Sequence, residues 1–217
     1  MRVLVACEMS GRVRDAFRAL GHEAWSCDLL PNNSMYHIQD DVRRYLVSYW
    51  DLLIAHPPCT YLCTSGAQYW PGKKREQEEA LEFVRGLLAA PIPRIAVENP
   101  VSYIASRIRK PDQIIQPWQF GHSYSKRTCL WLKNLPLLVP TKIMPDRADY
   151  IHSLSPTKYR SMQRSLTFPG IARAMAEQWG TVQGTYVLPD QPAREYRNIM
   201  PQRKVTVRKT WTLLHDY

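Results

Sequence analysis

Residues 2–28 read RVLVACEMSGRVRDAFRALGHEAWSCD. The apolar run Arg2–Cys7 is rich in β-branched residues and predicts a buried strand. After Ser10-Gly11, Val13, Ala16, Phe17 and Leu20 recur at helical spacing, which predicts a helix over 12–20. Gly21-His22 stops that helix, Glu23–Cys27 reads as a second strand, and Asp28 stands at its end. Strand, turn, helix and strand make a βαβ unit with a carboxylate after the second strand.

Working outward, Leu52–Ala55 is another short apolar run, ending at His56-Pro57-Pro58-Cys59. Residues 76–88 carry the period of an amphipathic helix, and Arg94–Val97 forms the next strand, ending at Glu98-Asn99-Pro100. Alternating strands and helices predict an α/β fold with a doubly wound, mostly parallel sheet covered on both faces. Ligands of such sheets gather at the carboxyl ends of the strands, where Ser10, Gly11, Asp28, Cys59 and Glu98 are expected. Farther on, 128–132 reads as a strand and 170–179 as a helix. The stretch around 136–165 is polar, basic and punctuated by prolines, so a loop-rich insertion is expected there. We read 1–180 as one catalytic domain and 181–217 as a basic C-terminal extension, whose alternating segment 204–213 suits a late strand or an ordering arm.

The 217 residues suffice for one α/β domain, not for two large ones. Net charge is +10 and uneven: residues 1–100 hold 11 Lys/Arg and 12 Asp/Glu, residues 101–217 hold 18 and 7. A basic second half suits a polyanion such as nucleic acid, because neutralised phosphates release condensed counterions; a merely solubilising surface is the alternative. Five cysteines without a paired rhythm and no signal peptide predict a reduced, cytoplasmic protein. Cys59 and Cys63 lack a second Cys/His pair of zinc spacing, so no metal is expected. No apolar run is long enough to span a bilayer, and a membrane partner is not expected.

A lone cysteine is more often a small buried hydrophobe, and a glutamate after a strand is more often a cap or a rim residue. Together, at neighbouring strand ends, the two supply a specific chemistry. A thiolate on a stiff Pro57-Pro58-Cys59 turn can attack C6 of a pyrimidine while an acid at Glu98 protonates N3, leaving C5 as a nucleophilic enamine carbon.

These residues resemble the DNA cytosine-5 methyltransferase family, particularly its small phage and prophage type. Pro58-Cys59 matches its nucleophile turn and Glu98-Asn99 its proton-donating dipeptide. The resemblance covers about residues 1–180 and implies a class I S-adenosylmethionine-dependent methyltransferase fold with S-adenosyl-L-methionine as cofactor. It implies a cofactor loop formed by Ala6, Cys7, Glu8, Ser10 and Gly11, with Asp28 at the ribose, Asp41 and Val42 at the adenine, and Leu29 and Pro57 beside the cofactor. Ser125-Lys126-Arg127 is similar to the family's basic motif, with Arg127 at the cytosine, and 170–176 to the helix that closes the cofactor pocket. The implied partner is DNA, with the target cytosine flipped out or single-stranded. Phosphate contacts are expected from Lys126, Arg127, Arg147, Lys158, Arg160 and Arg164, and from Arg203, Lys204, Arg208 and Lys209 in the tail. The resemblance further implies work inside a bacterial cell on behalf of a phage, evading host restriction.

The chain departs from the family in having a single glycine, Gly11, in the first loop and Ala6 where an aromatic is usual, which leaves adenosine stacking to Trp25 or Leu29. The basic motif is only partly matched. The interval 133–168 is too short for a typical target-recognition domain, so only short base readout is expected, with specificity supplied by a partner or a second copy as an alternative. The same chemistry on RNA or a free nucleotide, or a catalytically silent nucleic-acid-binding module, remain alternatives. A dinucleotide oxidoreductase is disfavoured, since the first turn lacks Gly-x-Gly-x-x-Gly.

Overall fold

The computed structural model describes residues 1–64, 71–149 and 160–181. In chain order these form β1 (Arg2–Ala6), α1 (Arg12–Ala19), β2 (Glu23–Asp28), β3 (His37–Gln39), β4 (Leu52–Ala55), α2 (Lys74–Ala89) and β5 (Arg94–Pro100). They continue as α3 (Ile104–Arg107), β6 (Gln113–Ile115), β7 (Tyr124–Ser125), β8 (Thr128–Lys133), β9 (Ala148–Asp149), α4 (Arg160–Ser165) and α5 (Pro169–Gly180).

Seven strands make a mixed, mostly parallel sheet in the order β3-β2-β1-β4-β5-β8-β6. The first five are parallel to one another, whereas β8 runs antiparallel to both β5 and β6. Every residue of β4, and β1 from Val3 to Ala6, is buried. That is why these strands read as continuous apolar runs rather than alternations. On one face Val3, Val5, Leu52 and Ile54 join Phe17 of α1 and Ile171, Met175 and Trp179 of α5 in a single core. Alternate residues point to the other face, where α2 packs against β5 and buries Leu81, Val84 and Leu87 at three-residue spacing.

Several expectations need adjustment. Leu20 is exposed rather than core, and Arg14 takes the buried place on α1. The guanidinium is satisfied there: it donates to the Asp15 carboxylate at 2.8 and 3.0 Å and to Ser26 Oγ at 2.8 Å, and Ser26 Oγ bonds His37 Nδ1 at 2.8 Å. β5 runs three residues farther than expected, because β8 continues to pair with it through Glu98↔Leu130, Asn99↔Cys129 and Pro100↔Thr128 after β4 has ended opposite Val97. The edge strands β3 and β6 are three residues each, too short to leave a periodic signal. Within the 136–165 insertion, β9 pairs with β7 and the last six residues form α4. The extension 182–217 lies outside the described residues. No helix among the described residues is long and apolar enough to cross a membrane.

Candidate active site

The sheet reverses its winding between β1 and β4: β2 and β3 follow on one side, β5 on the other. A crevice outside the carboxyl ends of β1 and β4 is the expected ligand site of such a sheet. The exits of β1, β4 and β5 carry most of the chemistry-bearing residues.

His56 prolongs the sheet by one residue, its backbone N–H donating to the Ala6 carbonyl at 2.9 Å. Pro57 is buried and Pro58 exposed. The chain then turns tightly, with the Leu62 and Cys63 N–H groups donating to the Cys59 carbonyl at 3.0 and 2.8 Å. Cys63 bridges to Ser102, and Tyr103 N–H donates to the Leu62 carbonyl at 2.9 Å, so this turn lies against the chain leaving β5. Asn99, 1% exposed, donates from its side-chain amide to the Pro57 carbonyl at 2.9 Å. Two prolines and three cross-links hold the half-buried Cys59 beside the last residues of β5.

Glu98 sits on the part of β5 that overhangs β4, one position past the Ala55↔Val97 pair. The corresponding next residue of β4 is His56, and its Nδ1 meets Glu98 Oε2 at 2.9 Å. Their side chains are only 9% and 15% exposed, so bulk water does not screen the pair. Burial pushes the Glu98 pKa up. The His56 hydrogen bond, the His56 charge and the charge of Lys126 together outweigh that and leave it below the usual carboxylate range. For His56, burial opposes the charged form, but the bond and charge of Glu98 and the charge of Glu8 carry its pKa above the ordinary histidine value. Each member of the pair thus favours the charged form of the other. Burial alone would push Glu98 toward the neutral acid, but His56 reverses the sign.

Cys59 behaves oppositely. Burial, then the neighbouring Cys63 and Glu98 charges, raise its thiol pKa, with Lys126 as the cation pulling it down. The ligand-free thiol is protonated at neutral pH, because a backbone hydrogen bond of the turn and Lys126 do not offset its burial. The thiol pKa of Cys7, which has positive φ at the end of β1, is driven up to about 12 by burial and by Asp28, so it is a protonated thiol at neutral pH.

On the other side of the crevice, buried Glu8 accepts the Val13 N–H at 2.7 Å, the Arg14 N–H at 3.3 Å and the Ser10 hydroxyl at 3.3 Å. Its carboxylate thus occupies the N-terminus of α1, the place where a dinucleotide fold seats a phosphate. Gly11 adopts φ +74 at that helix start, a conformation glycine takes without strain. Asp28 accepts the Leu30 N–H at 2.9 Å, and Leu29 beside it is 72% exposed. Of the two stacking candidates, Trp25 already packs edge-on against Tyr36, whereas Leu29 stands open at the strand end. Asp41 caps a 3-10 turn and pairs with Arg43, whose hydrogen bond holds its pKa down. Val42 is buried.

The basic residues divide. Arg127 and Arg147 are exposed, Arg147 lying 3.8 Å over the Trp118 ring. Lys126 instead donates from Nζ to the Arg164 carbonyl at 2.7 Å and acts electrostatically on Glu98, His56 and Cys59. It enters the site because Arg127 alone separates it from Thr128, the residue that pairs with Pro100. Arg160 lies on α4, and its side chain is outside the described residues, as are Lys158, Arg203, Lys204, Arg208 and Lys209. The sequence reading missed His56, although the parallel register of β4 and β5 was the signal that could have found it.

No family model and no curated protein matches the chain. Among solved structures it is similar to a protein provisionally assigned as a DNA modification methyltransferase encoded within an E. coli prophage, at 13% identity and a TM-score of 0.45. The match covers 72% of this chain and 56% of that one, so the chain spans little more than half the length of that structure.

Proposed function

We propose that this chain is a class I methyltransferase that moves a methyl group from S-adenosylmethionine to C5 of cytosine in DNA through a covalent Cys59 adduct. The observation that carries this reading is the placement of Cys59 beside Glu98: adjacent strand exits, clamped by the Asn99–Pro57 bond, put one nucleophile next to one buried acid–base pair. Cys59 gives its thiol proton to water, and Sγ bonds C6 of the base while the Glu98 side of the site protonates N3. C5 takes the methyl group, leaving the cofactor as a neutral thioether, water accepts the C5 proton, and expulsion of the thiolate releases the product as N3 returns its proton. Duplex cytosine lies inside the stack, so the base must be flipped or the strand single.

S-adenosylmethionine supplies an electrophilic methyl group and carries ribose hydroxyls and a positive sulfonium. Glu8, Asp28, Asp41 and the Ser10 hydroxyl at the crevice suit such a ligand. With a carboxylate already capping α1, the same site is unsuited to a pyrophosphate, which counts against the dinucleotide alternative. Arg127, Arg147 and Arg164 are the described residues we assign to phosphate contacts.

DNA carrying 5-fluorocytosine tests the reading, since fluorine at C5 blocks the elimination step. Wild type with cofactor should form an adduct stable to denaturing electrophoresis, and Cys63→Ser should form it too. No adduct in wild type, or an undiminished one in Cys59→Ala, overturns the assignment.

A further inference from the structure

We infer that His56 and Glu98 act as one proton-holding pair, in which His56 aims the Glu98 carboxyl and stores the proton that passes to N3 of the base. The inference rests on the cytosine reading above and adds to it a residue outside the cysteine and glutamate motifs.

Four observations carry it. The His56 backbone is held by Ala6 of β1 through its N–H and the ring by Glu98 of β5 through Nδ1, 2.9 Å in each case. Side chains this shielded exchange protons with each other more readily than with bulk water. The second ring nitrogen, Nε2, is buried and has no hydrogen-bond partner among the described residues, so no acceptor there fixes the ring's tautomer. A purely structural histidine would be expected to satisfy both nitrogens. Finally, the groups acting on the ring are Glu98 from β5, Glu8 from the β1–α1 loop, whose own pKa burial pushes up, and Lys126 from the β7–β8 connection, and the bond and charge of Glu98 are the largest influences that favour the charged ring. That balance favours an extra proton on the pair.

The step balances. With the ring doubly protonated and Glu98 ionised, the pair holds one proton beyond neutral imidazole and carboxylate. As the Cys59 thiolate forms its bond to C6, N3 takes a proton from the Glu98 carboxyl, which draws it from Nδ1, and the pair is left as neutral His56 with Glu98 carboxylate. When the thiolate leaves, N3 returns the proton and the pair is reset. A lone ionised glutamate could not do this, because it has no proton to give.

His56→Asn keeps an N–H near the place of Nδ1 but cannot store a proton. Single-turnover methyl transfer is measured against pH for wild type and this variant, alongside DNA and cofactor affinities. The variant should lose at least about tenfold in rate at neutral pH, at the low end of general-acid effects, and recover as pH falls and Glu98 itself becomes protonated, with affinities unchanged. In parallel, 15N NMR should follow the His56 ring in wild type and in Glu98→Gln, where its titration should move to lower pH. A wild-type rate profile in His56→Asn, or an unmoved titration in Glu98→Gln, overturns the pair. The titration needs no turnover. If wild type formed no 5-fluorocytosine adduct, the cytosine reading and the donation to N3 would fall, while the titration would still decide the pair by itself.

Discussion

Asn99 and Pro57 are joined across the gap between the end of β5 and the exit of β4 by a 2.9 Å hydrogen bond from a buried amide to a carbonyl. Because Asn99 follows Glu98 and Pro57 lies two residues before Cys59, this bond sets the spacing of the two reacting groups. Asn99→Ala should leave the Pro57 carbonyl without its partner, costing about 1–3 kcal/mol of stability. Turnover should fall while affinity for S-adenosylmethionine, which we assign chiefly to residues following β1 and β2, changes less. Equal loss of both in a kinetic and calorimetric comparison would refute the spacing role.

The His56–Glu98 pair makes stability depend on pH from both sides. Glu98 has its folded pKa lowered, so its contribution is complete above the unfolded carboxylate value and lost as pH falls through the folded one. His56 has its pKa raised, so its contribution is complete below the ordinary histidine value and lost as pH rises through the raised one. The melting-temperature difference between wild type and Glu98→Gln should be largest between those limits and shrink at each end. A difference independent of pH would contradict the ionised pair.

Lys126 and Arg127 are neighbours with separate duties. Exposed Arg127 should reach phosphate, so Arg127→Gln should reduce the log-log salt slope of duplex binding by about 0.9. Lys126 is turned into the site by the Arg164 carbonyl. Lys126→Gln should lower turnover on the order of tenfold, about 1.4 kcal/mol of transition-state stabilisation, with the slope unchanged. Interchanged effects in the two variants would reverse these assignments.

Gly170 closes the contact between α5 and the loop before β7. A methyl group there would stand 1.9 Å from the Phe120 carbonyl oxygen, a backbone atom that cannot step aside as a side-chain end would. The Gly170 N–H also donates to His122 Nε2 at 2.9 Å. Gly170→Ala should cost about 3 kcal/mol, lowering the melting temperature by roughly 10 °C in a domain of this size. A melt unchanged from wild type would show that the junction yields.

Much of this arrangement was legible in the chain. The βαβ unit at 2–28, the apolar runs of β4 and β5 and the dipeptides that follow them all stand out, because strands buried on both faces leave continuous apolar signals. Glu98 was located, but its setting was not: the overhang of β5 depends on β8, a reversed strand thirty residues later, and direction leaves no mark in an apolar run. The burial of Arg14 left no sequence signal, because it depends on Asp15 and Ser26 being in place to receive the guanidinium. His56 looked like a strand terminator, since its partner is 42 residues away and adjacent only in the register.

The packing of α1 against α5 brings together segments about 150 residues apart in the chain. During synthesis, Val13 and Phe17 therefore wait with one side uncovered until Ile171, Met175 and Trp179 have emerged. The nascent protein is sticky for most of its assembly, and the reactive groups, all encoded before residue 130, are made well before the last helix can lock the layer over β1. Closure of the layer formed by α1 over β1 should thus wait for the arrival of this late helix.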